Sequence, residues 1–446
     1  MRVGPYWAVA ILICLGLTEA QAARARPAPL LLISIDGLRP GDALDAERQG
    51  LKVPTLRRFV SQGAYASVRG VLPTLTYPSH TTLLTGVAPA VHGILANLTF
   101  DPLLVNDRGW YWYASDVRVP TLWDAAHDAG LRTANVDWPV SVGARVDYNL
   151  PQYWRTGTAD DRKLLRVLAT PGLIDALEHD LGPYADGIAE DLAGDENRTR
   201  FALNLIESRK PDFMTMYIAA LDHEEHVSGP DSPQARAVLE RIDILVGRLV
   251  AAMLKLDPHA VVCVVSDHGF APLAHDVNLA GAFIEAGLIR LDKDGQIKSW
   301  DAFPWHSSGT AAIVLRDRSD RSLHARVAAL LERLRRNPDT GIADILDRNQ
   351  IAAAGGNTEA EFMVNFKLGY EMGSDPKAPM VSPSVDRGMH GYSPTAPQMN
   401  STFLLLGSGV PTGRALGEID MHDIAPTLAH LLAIKLPSAE GKPVIW

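Results

Sequence analysis

Ala260-Val261-Val262-Cys263-Val264-Val265-Ser266-Asp267-His268-Gly269 is the stretch that decides the fold. A continuous, β-branched apolar run bounded by turn residues is the pattern of a strand buried on both faces, as in a parallel sheet covered by helices. Its last residues then lie at the carboxyl edge of that sheet, where open α/β folds place their ligands. Asp267 and His268 stand at that edge, and both can reach one cation.

The same pattern recurs outward along the chain. Pro29 to Ile35 reads as a second buried strand, ending in Asp36-Gly37. Asp212 to Ala220 reads as a third, running into Leu221-Asp222-His223-Glu224-Glu225-His226. Arg132 to Asp137 and Thr402 to Leu406 add two more. Helical spacing fills the intervals: Pro54 to Val60 closed by Gly63, His80 to Thr85 stopped by Gly86, Pro120 to Ala129, Ala235 to Leu256, and Asp423 to Leu432. Strands alternating with helices predict an α/β fold, a doubly wound and mostly parallel central sheet with helices on both faces. The stretch at about 279–380 lacks the ligand-type clusters and reads as an inserted cap subdomain.

Of 446 residues, 47% are hydrophobic and 21% charged, the balance of a globular chain with ample core. The net charge of −10 argues against a duplex nucleic-acid partner. It does not exclude a small anionic substrate, because bound metal ions reverse a local field. Arg2, the apolar Trp7 to Leu17 and Ala20-Gln21-Ala22 match a cleaved signal peptide over residues 1–22, leaving 23–446 as the mature domain. Export to the periplasm or medium, with no stable membrane anchor after cleavage, is the expectation. Cys14 would leave with that segment, and Cys263 remains as a buried structural thiol with no disulfide partner.

Ligand-type residues gather at predicted strand ends: Asp36, Asp222 with His226, Asp267 with His268, and His390 in Gly388-Met389-His390-Gly391-Tyr392. Asp222 and His226 are four apart and share a face if their segment is helical. Three Asp and three His supply two mixed carboxylate and imidazole sets, which suits two zinc ions with open positions. A metal pair of that kind clamps in-line displacement at phosphorus and calls for a metal-bound nucleophile. Thr76, in a Pro-flanked turn before a helix, is one candidate; Thr74, Thr81 and Thr82 are rivals that spacing does not separate, and Thr76 also suits a helix cap.

Asp36-Gly37, Pro73-Thr74-Leu75-Thr76-Tyr77-Pro78-Ser79-His80, Thr85-Gly86, His92-Gly93-Ile94 with Asn97, and Ser266-Asp267-His268-Gly269 together resemble the nucleotide pyrophosphatase/phosphodiesterase family of the alkaline phosphatase superfamily. Asp222 and His226 followed by Ser228-Gly229-Pro230, then Gly388 to Tyr392, continue the likeness in chain order. The resemblance implies an alkaline-phosphatase-like fold and an enzyme hydrolysing phosphodiester and pyrophosphate bonds of nucleotide-type small molecules, releasing nucleoside monophosphates. It implies Asp36, Thr76, Asp267 and His268 on one zinc, and Asp222, His226 and His390 on the other. Thr76 would be the nucleophile that is transiently phosphorylated, and Asn97 would donate to a phosphate oxygen. The Tyr77 ring, with Trp110 to Tyr113, would be available to stack on substrate. His223 is a spare ligand should the turn shift, and Glu224 and Glu225 are expected to be solvated. A sulfatase is disfavoured, since Thr76 cannot become the formyl nucleophile. The same platform also serves lysophospholipid or glycerophosphodiester choline substrates, phosphonates and phosphomonoesters. An exported nucleotide- or metal-binding protein is the non-enzyme alternative.

Overall fold

Strand residues alternate between two hydrophobic cores, and this alternation builds the molecule. In the computed structural model, which describes residues 26–106, 109–153, 158–184 and 189–446, eight strands form the central sheet. They are β1 (Leu30–Ile35), β2 (Ala64–Arg69), β3 (Thr133–Val136), β4 (Tyr148–Leu150), β5 (Phe213–Ile218), β6 (Val261–Val265), β7 (Ser401–Gly407) and β8 (Arg414–Asp420). Their order is β8-β2-β7-β6-β1-β5-β3-β4, and only β7 runs against its neighbours. Leu31, Ile33 and Ile35 of β1 face one core with Val262 and Val264 of β6, while Leu30 and Leu32 face the other with Val261, Cys263 and Val265. Both faces of these strands are thus dry, which is why their sequences are uninterrupted apolar runs.

The first core is closed by helices α1 (Pro54–Gln62), α3 (Leu192–Arg209) and α5 (Pro233–Leu256), through Phe59, Phe201, Leu205, Ile242 and Val246. The second is closed by α2 (Thr76–Thr85) and α7 (Ile424–Leu431), through Leu83, Leu84 and Leu428. Cys263 is a free, buried thiol. The helix α4 (Ala220–Ser228) directly follows β5.

Residues 279–380 include a four-stranded antiparallel sheet, ordered 302–307, 310–315, 362–366 and 342–347, packed on helix α6 (Arg321–Arg336). Ile313, Leu330, Leu331 and Val364 give this part a core of its own. At its base, Ala271 and Pro272 pair antiparallel with Met389 and Gly388. That short ladder returns the chain beside its point of departure, so His390 arrives next to His268. The signal peptide expected at 1–22 lies outside the described residues. Among the described residues no helix is long and apolar enough to cross a membrane.

One boundary differs from the sequence reading. The helix expected from His80 begins at Thr76, because a proline at its third position removes only an N–H that a first turn leaves unpaired. The ladder starts at Ser79 N–H, which donates to Leu75 C=O at 3.0 Å.

Candidate active site

Parallel register brings the ligand-type residues level. Ser34 pairs with Val265, so Asp36 and Asp267, each two residues further, leave the sheet side by side. Asp36 extends the ladder once more, its N–H donating to Ile218 C=O at 2.9 Å on the strand that leads into α4. The Gly37 N–H donates to Asp267 Oδ1 at 3.2 Å and fixes that carboxylate. In α4, Asp222 and His226 share a face as their spacing requires, with Asp222 Oδ2 3.4 Å from His226 Nε2.

The three imidazoles point the same way for a common reason. His226 Nδ1 lies 3.0 Å from Gly388 C=O, His390 Nδ1 3.1 Å from Thr74 C=O, and His268 Nδ1 3.2 Å from Gly269 C=O. A carbonyl only accepts, so each Nδ1 carries a proton and each Nε2 is the end turned inward. His268 Nε2 is 3.1 Å from Asp267 Oδ2, 3.3 Å from Asp36 Oδ1 and 3.5 Å from Thr76 Oγ1. His390 Nε2 is 3.6 Å from Asp222 Oδ1. The His268 and His390 rings stack at 3.6 Å, which joins the two halves of the site. Among the described residues, converging ligand atoms fall into two groups, Asp222 with His226 and His390, and Asp36 with Asp222 and His268. Asp222 stands between both.

The unmet needs of these side chains are those a cation supplies. Asp36 Oδ1, Asp222 Oδ1 and Asp267 Oδ2 are buried without hydrogen-bond partners. Burial pushes the Asp36 carboxyl well above its usual range, and the Asp222 and Asp267 carboxylates push it further, against the 2.5 Å hydrogen bond donated by Tyr217. Burial would also raise Asp267, but the His268 and His80 imidazoles hold it below the ordinary range. His390 is kept well below its usual value by burial and then by His268 and His226. Packed carboxylates with orphaned oxygens and three inward Nε2 atoms fit divalent cations of the zinc type. The fit is chemical: mixed oxygen and imidazole donors, held by their outer hydrogen bonds.

Among the hydroxyls of this turn, hydrogen bonding separates what spacing left open. Thr74 Oγ1 donates to Tyr392 C=O at 2.8 Å, Thr81 Oγ1 to Tyr77 C=O at 2.8 Å, and Thr82 Oγ1 to Val87 C=O at 2.9 Å. Thr76 Oγ1 instead faces His268. It caps nothing, since the N-cap is Leu75 and no side chain caps this helix. Asn97 accepts the Tyr77 N–H on Oδ1 at 3.0 Å, which makes its amide NH₂ the opposite, donor end.

Three expectations change. The Tyr77 ring is 1% exposed, packs 5.1 Å from Trp110, and donates its hydroxyl to Gln152 at 2.6 Å. It forms the wall behind the site, and its face is not open for stacking. Trp112 and Trp138 are likewise core residues. Glu225, expected in solvent, is 1% exposed because α4 packs its opposite face against the loop after β1. His223 is exposed and turned away from both ligand groups. Sequence reasoning also passed over His80, which is fully buried, bonds Thr76 C=O through Nδ1 at 2.8 Å and Ser34 Oγ through Nε2 at 2.8 Å, and lies 3.5 Å from Asp267. Its helical i, i+4 spacing from Thr76 was the available signal.

A model of the family described as type I phosphodiesterase / nucleotide pyrophosphatase matches residues 30–393. The chain is 27% identical over 260 residues to an uncharacterised pyrophosphatase/phosphodiesterase of Schizosaccharomyces pombe, with 54% of this chain and 45% of that protein covered. It is 27% identical over 273 residues to human ectonucleotide pyrophosphatase/phosphodiesterase family member 1, covering 57% of this chain and 25% of that protein. The chain therefore matches less than half the length of these curated relatives. A match of 24% identity over 436 residues joins 94% of this chain to 81% of the bis(5'-adenosyl)-triphosphatase ENPP4 of Bos taurus. Human ectonucleotide pyrophosphatase/phosphodiesterase 5 shares the fold, with a TM-score of 0.66 at 19% identity over 93% of this chain and 97% of that one. An inactive variant of the murine counterpart, solved in complex with AMP, gives the same TM-score.

Proposed function

Because the chain belongs to the type I phosphodiesterase / nucleotide pyrophosphatase family, we propose that it hydrolyses phosphodiester and pyrophosphate bonds of small nucleotide-type substrates and releases nucleoside monophosphates. The observation that carries this reading is the meeting of three inward Nε2 atoms and three orphaned carboxylate oxygens beside one hydroxyl, that of Thr76. The bovine relative's name, a bis(5'-adenosyl)-triphosphatase, and the AMP bound to the murine neighbour support a nucleotide-type substrate.

Asp36, Asp267, His268 and Thr76 would hold one divalent cation, and Asp222, His226 and His390 the other; zinc suits both sets. Such ions supply Lewis acidity, lowering the pKa of a bound hydroxyl and offsetting charge on the phosphate. Thr76 Oγ1 attacks phosphorus, forming an O–P bond as the bond to the leaving oxygen breaks and the hydroxyl proton goes to that oxygen; water then cleaves the threonine–nucleotide ester, releasing the nucleoside monophosphate and restoring the hydroxyl. The Asn97 amide donates to a non-bridging phosphate oxygen, with its own orientation set by Tyr77 N–H. The Gly388, Thr74 and Gly269 carbonyls keep the imidazoles in one tautomer throughout. The same reading takes residues 23–446 as one catalytic unit carrying an inserted cap, exported behind a signal segment.

A hydrolysis panel on zinc-loaded protein tests this. A nitrophenyl nucleotide diester and a dinucleoside polyphosphate should be cleaved in preference to nitrophenyl phosphate and nitrophenyl phosphorylcholine. Thr76→Ala should abolish cleavage while the metal content stays. Preference for the monoester, or undiminished cleavage by the variant, overturns the assignment.

A further inference from the structure

The buried Glu225 and the Arg39 that meets it lie outside the cation-ligand set, yet they join its two halves. Arg39 follows Asp36 on the loop leaving β1, and Glu225 directly precedes His226 on α4. The Glu225 carboxyl lies over Gly37: a Cβ added there would stand 2.9 Å from Glu225 Oε2 and 3.2 Å from the Phe270 ring. Only a residue without a side chain, at φ +74°, admits that approach immediately beside Asp36. Both Glu225 oxygens lack hydrogen-bond partners, and the single ion pair found for it among the described residues is Arg39 Nε at 3.8 Å from Oε1.

Arg39 is itself fixed on several sides. Its Nε donates to Asp42 Oδ2 at 2.9 Å and its Nη2 to Asp42 Oδ1 at 3.0 Å, a two-pronged pair within its own loop. Its Nη1 donates to Asp231 Oδ1 at 2.9 Å and its Nη2 to Pro230 C=O at 3.0 Å, both just beyond the end of α4. The loop is tied to the sheet in turn, since Leu38 C=O accepts from Ser266 Oγ at 2.6 Å and Thr402 Oγ1 at 2.8 Å. A planar guanidinium with several fixed donors can span two segments this way, whereas an ammonium acts as a point charge.

We propose that Arg39, with Glu225, is a positioning strut that sets the distance between the Asp36–Asp267 half of the site and the Asp222–His226 half. The proposal rests on the two-cation reading above. Arg39 touches no reacting atom. It governs whether α4 presents Asp222 and His226 toward His390 at a fixed separation from the Asp36–Asp267 half. Removing it frees the end of α4 and takes away the one ion-pair contact found among the described residues for the buried Glu225, beside His226. The half-site on α4 therefore loosens first, and the half-site on the sheet, held by Gly37 N–H and β1, survives.

Zinc content and kinetics of Arg39→Ala, Arg39→Lys, Glu225→Gln and the Arg39→Ala/Glu225→Gln pair, each against the full-length wild type, test the strut. Loss of a direct outer partner of a metal ligand costs roughly 10–100-fold in affinity or activity, and a strut one contact further out should fall toward the low end of that range. Arg39→Ala should thus retain one tight zinc, weaken the second by that factor, and lower kcat more than it raises KM. Arg39→Lys should recover part of the loss. The paired variant should be no more impaired than Arg39→Ala, because the two residues form one contact and their effects are not additive, and Glu225→Gln keeps the test alive if Arg39→Ala folds poorly. Two tight zinc ions and an unchanged kcat in Arg39→Ala overturn the strut while leaving the two-cation reading intact. Equal weakening of both zinc sites, or a paired variant whose loss is the sum of the two single losses, also overturns it. A wild type that binds no zinc and cleaves no diester sinks the underlying reading instead.

Discussion

Replacing Asp195 by alanine should be among the most damaging single changes outside the ligand set. Asp195 lies in α3, fully buried, and accepts from the Ala219 N–H at 3.0 Å and the Ala220 N–H at 2.9 Å. These are the unpaired donors at the start of α4, whose own N-cap residue, Ala219, has no side chain able to cap it. Asp195 also pairs at 2.5 Å with Arg198, a guanidinium with no exposure that also lies 3.5 Å from Asp137. Asp195→Ala removes a distant cap, worth about 0.5–2 kcal/mol, and breaks a buried ion pair, which costs about 3–5 kcal/mol. Because Asp137 still faces the Arg198 guanidinium and offsets part of the second term, we expect a loss of about 4 kcal/mol, against a total stability of about 5–15 kcal/mol. Asp195→Asn keeps one acceptor and the shape, and should lose about half as much. Urea unfolding followed by tryptophan fluorescence reads both, with zinc affinity measured on the folded fraction, since a loosened α4 carries Asp222 and His226. A loss under about 1 kcal/mol for Asp195→Ala, the scale of an ordinary surface change, refutes the capping argument.

Further outcomes follow from the same structure. Burial, then Asp276 and Asp386, push the Glu371 carboxyl up to about 9. Its folded value lies above its unfolded one, so the folded chain holds the extra proton, and stability falls as pH rises between the two values. Glu371→Gln should therefore gain on the wild type by about 1–4 kcal/mol between pH 5 and pH 8 in urea titrations, and a flat difference contradicts this. Cys263, whose thiol is pushed far up by burial, should stay unmodified by a disulfide reagent in the native protein and react in denaturant; rapid native labelling contradicts its placement. Chelation should destabilise the protein, because Asp36, Asp222 and Asp267 then share one buried space without a compensating cation. Thermal unfolding with and without chelator reads this, and an unshifted midpoint argues against metal in the site.

The sheet was legible in the sequence wherever both strand faces are dry. The runs at 30–35, 213–218 and 261–265 needed no alternation to be recognised, and their ends located Asp36, Asp222 and Asp267. The opposite direction of β7 was not legible, because Phe403 to Leu406 reads the same either way. Spacing did not separate Thr76 from Thr74, Thr81 and Thr82; the resemblance pointed to Thr76, and the hydrogen bonds that engage the other three hydroxyls are something no spacing encodes. The burial of Glu225 escaped for a related reason. A charged residue between two ligands on a helix reads as solvated unless the loop packed against its far side, with Gly37 and Arg39, is known. Tyr77 was misplaced likewise, since Trp110 and Gln152 come from distant segments to enclose it.

Anomalous diffraction at the zinc edge, on crystals of the zinc-loaded enzyme, tests the central claim most directly. Two peaks are expected, one among Asp36, Asp267, His268 and Thr76 Oγ1, the other among Asp222, His226 and His390. No peak there, or a peak that leaves the Thr76 hydroxyl unengaged, contradicts the account.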